Sequence, residues 1–218
     1  MDFVPPTPPA GAKTIDPLNK NWHLPVSLQE IGMTLNLRKM RFYSGGHMGA
    51  EAEFGRQAER YGIREINFVY RGQTPERKRG VTTLTPKALK RGDISMEIVS
   101  LRMGRTYNRE ADIRKVIQTI FHMVNMGHQV FSVGWIQPDG TAQGGTGWAV
   151  ELGKLFKRPL SVYDLAQSGW YSWQDGQWQE DTPTICHHSF TGTGTRRLTK
   201  AGRQAIADLF EHSFGPPP

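Results

Sequence analysis

The sequence predicts an α/β fold: a mainly parallel sheet with helices on both faces and a short Trp-rich hairpin insertion. Three observations predict it. Strand-like and helix-like runs alternate along the chain, the pattern of a helix-covered parallel sheet. Two glycine-rich turns, Ser44-Gly45-Gly46-His47-Met48-Gly49 and Gly144-Gly145-Thr146-Gly147, each follow an apolar run and open a helix-like one. The length of 218 residues suits one sizeable domain, and 37% hydrophobic residues with six Trp and ten Phe can fill its core.

The elements follow in order. Residues 1–24 contain Val4-Pro5-Pro6-Thr7-Pro8-Pro9, which suits neither a helix nor a central strand, and read as an extended or loosely docked arm. Gly215-Pro216-Pro217-Pro218 forms a tail of the same kind, so the expected single domain spans 25–214. A strand near 38–43 precedes a helix near 50–61, and Glu65 to Tyr70 form the next strand. Loop 71–85 carries Arg71, Arg77, Lys78 and Arg79 without apolar periodicity. Then come a strand-like stretch 94–101, a helix near 109–126 and a strand 129–134. A helix near 147–156 and a strand 160–163 lead into 168–184, where Trp170, Trp173 and Trp178 among Gly, Gln and Asp suggest a hairpin. A strand 184–189 precedes the turn 192–196, and Thr199 is placed to cap a last helix reaching about His212.

Composition limits the function classes. No run approaches the ~20 apolar residues of a membrane helix, and no signal peptide is visible. The single cysteine, Cys186, cannot form an internal disulfide, which suits a cytoplasmic protein. A formal net charge of +7 favours anionic partners, without separating a free nucleotide from a nucleic acid. Cys186-His187-His188 would alternate faces in a strand, so they do not read as one metal site. No metal and no cofactor is expected.

A strand–glycine turn–helix unit presents unpaired N–H groups at the positive end of a helix, where a phosphate is stabilised. Two such units in one parallel sheet point to a shared nucleotide-like ligand. The candidate ligand-binding residues are Ser44, Gly45, Gly46, His47, Gly49 and Glu51 at the first turn, and Gly144, Gly145, Thr146 and Gly147 at the second. A third junction adds Gly194, Thr195 and Arg196, with Arg196 or Arg197 able to clamp a phosphate through a bidentate fork. His47 could donate to that phosphate or satisfy a local backbone group. Glu51 could accept ribose hydroxyls or simply complement the start of its helix. The basic loop 71–80 could fold over an anion or remain solvated. Trp170, Tyr171 and Trp173 could stack a base or cover a sheet edge.

These turns carry a family resemblance. Tyr43 to Glu51 resembles the SGG turn of the DNA-processing protein A group, and Gly194-Thr195-Arg196-Arg197-Leu198-Thr199-Lys200-Ala201-Gly202 resembles that group's arginine turn. Gly144-Gly145-Thr146-Gly147-Trp148-Ala149-Val150-Glu151 is similar to the signature of the LONELY GUY phosphoribohydrolases. Both groups belong to the SLOG superfamily, so the resemblance implies a Rossmann-like nucleotide-binding domain over roughly 38–214. The arginine turn here comes last rather than first. A circular permutation would accommodate this by setting strand 184–189 beside strand 38–43.

Two departures bear on activity. Glu51 stands where the family has Asp, and Trp148 where the phosphoribohydrolases have Thr. The resemblance implies Glu151 as a catalytic carboxylate, but the arginine expected on the preceding helix is missing unless Arg102 or Arg105 reaches in. The leading expectation is a sensor or sequestering protein for a nucleotide-like small molecule, of a kind found in bacteria and their viruses. A phosphoribohydrolase-like enzyme cleaving an N-glycosidic bond ranks second. Single-stranded DNA binding ranks third, since no segment interleaves basic and aromatic residues. A membrane partner is not expected, and SLOG relatives imply a homo-oligomer.

Overall fold

A computed structural model describes residues 36–107 and 111–218; the expected arm at 1–24 lies outside them. Among the described residues eight strands form one sheet: β1 (Arg41–Ser44), β2 (Arg64–Tyr70), β3 (Val81–Leu84), β4 (Gln129–Gly134), β5 (Leu160–Asp164), β6 (Gly169–Gln174), β7 (Gln177–Glu180) and β8 (Ser189–Gly194). Their spatial order is β3-β2-β1-β8-β4-β5-β6-β7. Neighbours from β3 through β5 pair in parallel, and the β5–β6 and β6–β7 pairs are antiparallel. The helices are α1 (Ala50–Arg60), α2 (Pro86–Leu89), α3 (Asp93–Met103), α4 (Ala111–Met126), α5 (Thr146–Leu155) and α6 (Lys200–Phe214). None of them is long and apolar enough to cross a membrane.

Helices cover both faces, as the alternation predicts. Successive strand residues point to opposite sides of a sheet, so β1 and β4 feed two separate apolar clusters. Phe42, Phe131 and Val133 join Phe54 of α1 and Ile206, Leu209 and Phe210 of α6. Tyr43 and Val130 join Met96 and Val99 of α3, Met123 of α4 and Val150 of α5. Full burial of each large apolar side chain contributes about 1.5–3 kcal/mol, so both layers stabilise the sheet.

Three expectations need correction. The stretch 94–101 is not a strand but most of α3. Its β-branched residues suggest a strand, yet Met96, Val99 and Ser100 are buried at helical spacing while Ile94, Ile98 and Leu101 face outward. Loop 71–85 is not loop throughout, because Val81–Leu84 adds edge strand β3 beside β2. Two of its arginines are engaged as well: Arg77 Nη2 donates to Glu65 Oε2 at 2.6 Å and Glu59 Oε2 at 2.8 Å, and Arg79 Nη1 donates to Glu59 Oε1 at 2.5 Å.

The last strand is also displaced. It runs from Ser189 to Gly194 rather than 184 to 189, so Gly192 lies in mid-strand instead of in a turn. Packing explains the glycine: a Cβ at 192 would stand 2.5 Å from the Phe54 ring and 2.8 Å from the Phe42 ring. β8 nevertheless lies beside β1, with Phe42 opposite Phe190 and Tyr43 opposite Thr191. The hairpin falls within 168–184 as expected. Its aromatics cover the structure, with Trp170 5.5 Å from the Tyr163 ring and Trp173 5.1 Å from the Trp178 ring.

Candidate functional site

The strand order reverses around β8. From β1 the chain moves outward to β2 and β3, then crosses to β4 and proceeds the other way to β5. The carboxyl ends of β1, β8 and β4 therefore meet at a topological switch point, where open α/β sheets place their ligands. A cleft of about 600 Å³ opens there. His47 and Glu51 line it after β1, Gln143 to Thr146 after β4, and Thr193 to Arg197 after β8. Trp135 and the apolar side chains Val116 and Ile120 of α4 complete its wall.

The first turn is closed by its own carboxylate. Glu51 Oε2 accepts the Gly45 N–H at 3.2 Å and the His47 N–H at 3.0 Å, while Oε1 accepts the Thr193 hydroxyl at 3.0 Å. Glu51 is 6% exposed, so these bonds compensate a charge largely removed from water. In the expected phosphate cradle at 44–49, two of the amides thus already hold a carboxylate supplied by α1. The Ala50 N–H, at the start of that helix, donates to Thr195 O at 3.0 Å.

The remaining residues of this turn shape it. The buried Ser44 hydroxyl donates to Gly192 O at 3.0 Å and ties β1 to β8. Gly46 and Gly49 have φ of 67° and 90°, conformations that favour glycine. A Cβ on Gly49 would also strike the backbone of Thr195 and Arg196, so the SGG turn and the arginine turn touch at main-chain distance. His47 Nε2 accepts from the Gln73 amide at 3.0 Å, which fixes its ring at the cleft wall.

The second turn is more open. Gly144 and Gly145 are exposed, and a Cβ on either would meet nothing within 4 Å. They precede α5 directly, so its positive end faces the cleft. Arg105 braces the turn from behind, donating to Gly144 O at 2.8 Å and to Ala142 O and Gln137 Oε1 at 3.1 Å each. Gly147 leaves room for that guanidinium, since a Cβ there would lie 2.6 Å from Arg105 Nη1.

Glu151 lies one turn further along α5, outside the cleft lining. Its Oε1 accepts from Lys154 Nζ at 2.8 Å, and that ammonium also donates to Gly140 O at 2.9 Å and sits 3.7 Å from the Trp173 ring centroid. The cationic partner missing from the sequence reading is thus a lysine on the same helix, and Arg105 serves the glycine turn instead.

The third turn supplies exposed charge. The Thr195 N–H donates to Val133 O at 2.8 Å, and its hydroxyl accepts the Arg197 N–H at 3.1 Å. Arg196 and Arg197 are exposed, and neither forms an ion pair among the described residues. Thr199 caps α6 as expected, its hydroxyl accepting the Gly202 N–H at 3.1 Å.

Of the residues expected at a site, His47, Glu51, Gly144, Gly145, Thr146, Gly194, Thr195 and Arg196 line one cleft. Ser44, Gly45, Gly46, Gly49, Gly147 and Glu151 stand behind or beside it. Sequence reasoning missed Trp135, Gln143, Val116 and Ile120, and reached Thr193 only as part of the turn 192–196. Trp135 and Gln143 flank a segment already read as strand and turn, a usable signal, whereas α4 reaches the cleft only through tertiary packing. No protein-family model, curated protein or solved structure matches the chain.

Proposed function

We propose that the chain is a SLOG-like protein that binds a nucleotide, or a small molecule derived from one, in the switch-point cleft. It would act as a sensor or sequestering protein. The observation that carries this reading is the convergence of the open α5 start with Arg196 and Arg197 in that cleft. Helix amides and two arginines without ion-pair partners among the described residues suit a phosphate, while Trp135, Val116 and Ile120 offer a surface for a flat base. The Glu51 carboxylate, fixed by three donors, would repel phosphate from the first turn and direct it toward α5. The hydrolase reading gains no support, because Glu151 stands outside the cleft and is held by Lys154.

Native mass spectrometry of freshly purified protein tests the reading. Wild type should carry, or take up from a panel of ribonucleotides, an adduct of nucleotide mass. An Arg196→Ala/Arg197→Ala variant should not retain it. Absence of any adduct on wild type, before and after adding the panel, would contradict the reading.

A further inference from the structure

A second hollow, sharing no lining residue with the cleft, opens between the ends of β2 and β3, α2 and the first turns of α4. It measures about 680 Å³, within the range of small-molecule pockets. Its floor is apolar, formed by the buried side chains of Leu84 and Leu89 with Pro86 beside them. Four cations, Arg71, Lys90, Arg114 and Lys115, stand around it with Tyr70, and no carboxylate among the described residues lines it.

Arg114 is held in position. Its Nη2 donates to Asp93 Oδ2 at 2.9 Å, and its guanidinium carbon lies 5.3 Å from the Tyr107 ring centroid. Asp93 Oδ1 is itself fixed by the Tyr107 hydroxyl at 2.6 Å and the Gln118 amide at 2.7 Å. Arg114 Nε is buried without a hydrogen-bond partner among the described residues. Lys115 reaches the exposed Asp112 at 3.1 Å and stands 5.4 Å from the Tyr70 ring centroid. Arg71 and Lys90 have no ion-pair partner among the described residues, so two carboxylates answer four cations.

An apolar floor rimmed by excess positive charge matches neither a bare inorganic ion nor an uncharged hydrocarbon. We propose that this hollow is a small-molecule site for an organic anion that combines an aromatic or short aliphatic group with a doubly charged head, such as a phosphate monoester. The apolar group would lie on Leu84, Pro86 and Leu89. The head would meet Arg71, Lys90 and the fixed Arg114, whose planar fork suits phosphate oxygens. The concavity favours a free small molecule over a flat membrane surface. This inference stands apart from the reading of the switch-point cleft.

Calorimetric titration of the full chain with phenyl phosphate tests it, using the Arg196→Ala/Arg197→Ala background to silence the cleft. One equivalent should bind, and inorganic phosphate should bind at least roughly tenfold more weakly. Adding Arg71→Ala and Lys90→Ala should weaken phenyl phosphate by roughly tenfold or more without lowering the melting temperature, because both side chains are exposed. Three results would each overturn the proposal: no binding of phenyl phosphate, affinity unchanged by the two substitutions, or equal affinity for inorganic phosphate. Binding to phosphatidylglycerol vesicles in place of free phenyl phosphate would overturn it as well.

Discussion

Glu51 and His47 are joined within the first glycine turn: the carboxylate Oε2 accepts the His47 backbone N–H at 3.0 Å. The same carboxylate reaches across to the Thr193 hydroxyl and so fastens α1 to β8 at the cleft. An acidic residue here complements both the helix start and the turn amides. The turn therefore arrives with its anion built in.

Glu51→Gln should destabilise the fold. The amide can still accept through one atom, but its NH2 group must face a donor that the carboxylate had satisfied. Losing charge-assisted bonds at a buried position costs roughly 2–3 kcal/mol. For a chain of this size that lowers the melting temperature by about 5–10 °C. Thermal unfolding followed by circular dichroism measures it, and an unchanged melt would mean that the three donors contribute little.

Glycines of the two turns should respond differently to substitution. Gly49→Ala meets the backbone of Thr195 and Arg196 at a φ of 90°, and neither main chain can give way cheaply. A loss of about 2 kcal/mol or more is expected. Gly145→Val places its side chain in open space at a φ of −64°, where the helix geometry tolerates it. Its melt should stay within about 1 kcal/mol of wild type while ligand affinity falls. Equal melts for the two variants would contradict the geometry. Gly45→Val is a poor test of ligand contact, since its Cβ would stand 3.0 Å from Glu51 Oε2.

Stability should also depend on pH through His122. Burial holds its pKa below the ordinary histidine value, against the raising effect of its bond to Ala88 O at 2.8 Å; the charge of Arg91 lowers it a little further. The unfolded chain then binds more protons than the folded one between the depressed pKa and the ordinary value near ~6.5. Stability is accordingly full above that ordinary value and declines as pH falls below it. His187, also depressed by burial, acts in the same direction. Melting temperatures measured from pH 7.5 to 5.5 should fall, and His122→Gln should reduce the slope. A slope unaltered by that substitution would assign the dependence elsewhere.

Much of this arrangement is legible in the sequence because local chemistry carries it. The alternation around Gln129–Gly134 and Thr146–Leu155 marks a strand, a turn and a helix, and all three appear. Thr199 marks its helix start through its own hydroxyl. Other features depend on distant partners. Gly192 resembles a turn glycine until the Phe42 and Phe54 rings close over it, and α3 resembles a strand until its buried residues show helical spacing. The role of Glu51 depends on Thr193, 142 positions away, and no local pattern records that pairing.

A phosphate-bearing ligand should dock at the α5 start and the arginine turn, and not in the turn that Glu51 fills. Amide chemical shifts of the labelled full chain, followed while adenosine and guanosine 5′-phosphates are titrated in, test it most directly. The largest shifts should fall at Gly144, Gly145, Thr146 and Arg196, with much smaller ones at Gly45 and His47. Shifts centred on Gly45 and His47 with none at Gly145, or no shift anywhere in the cleft, would contradict it.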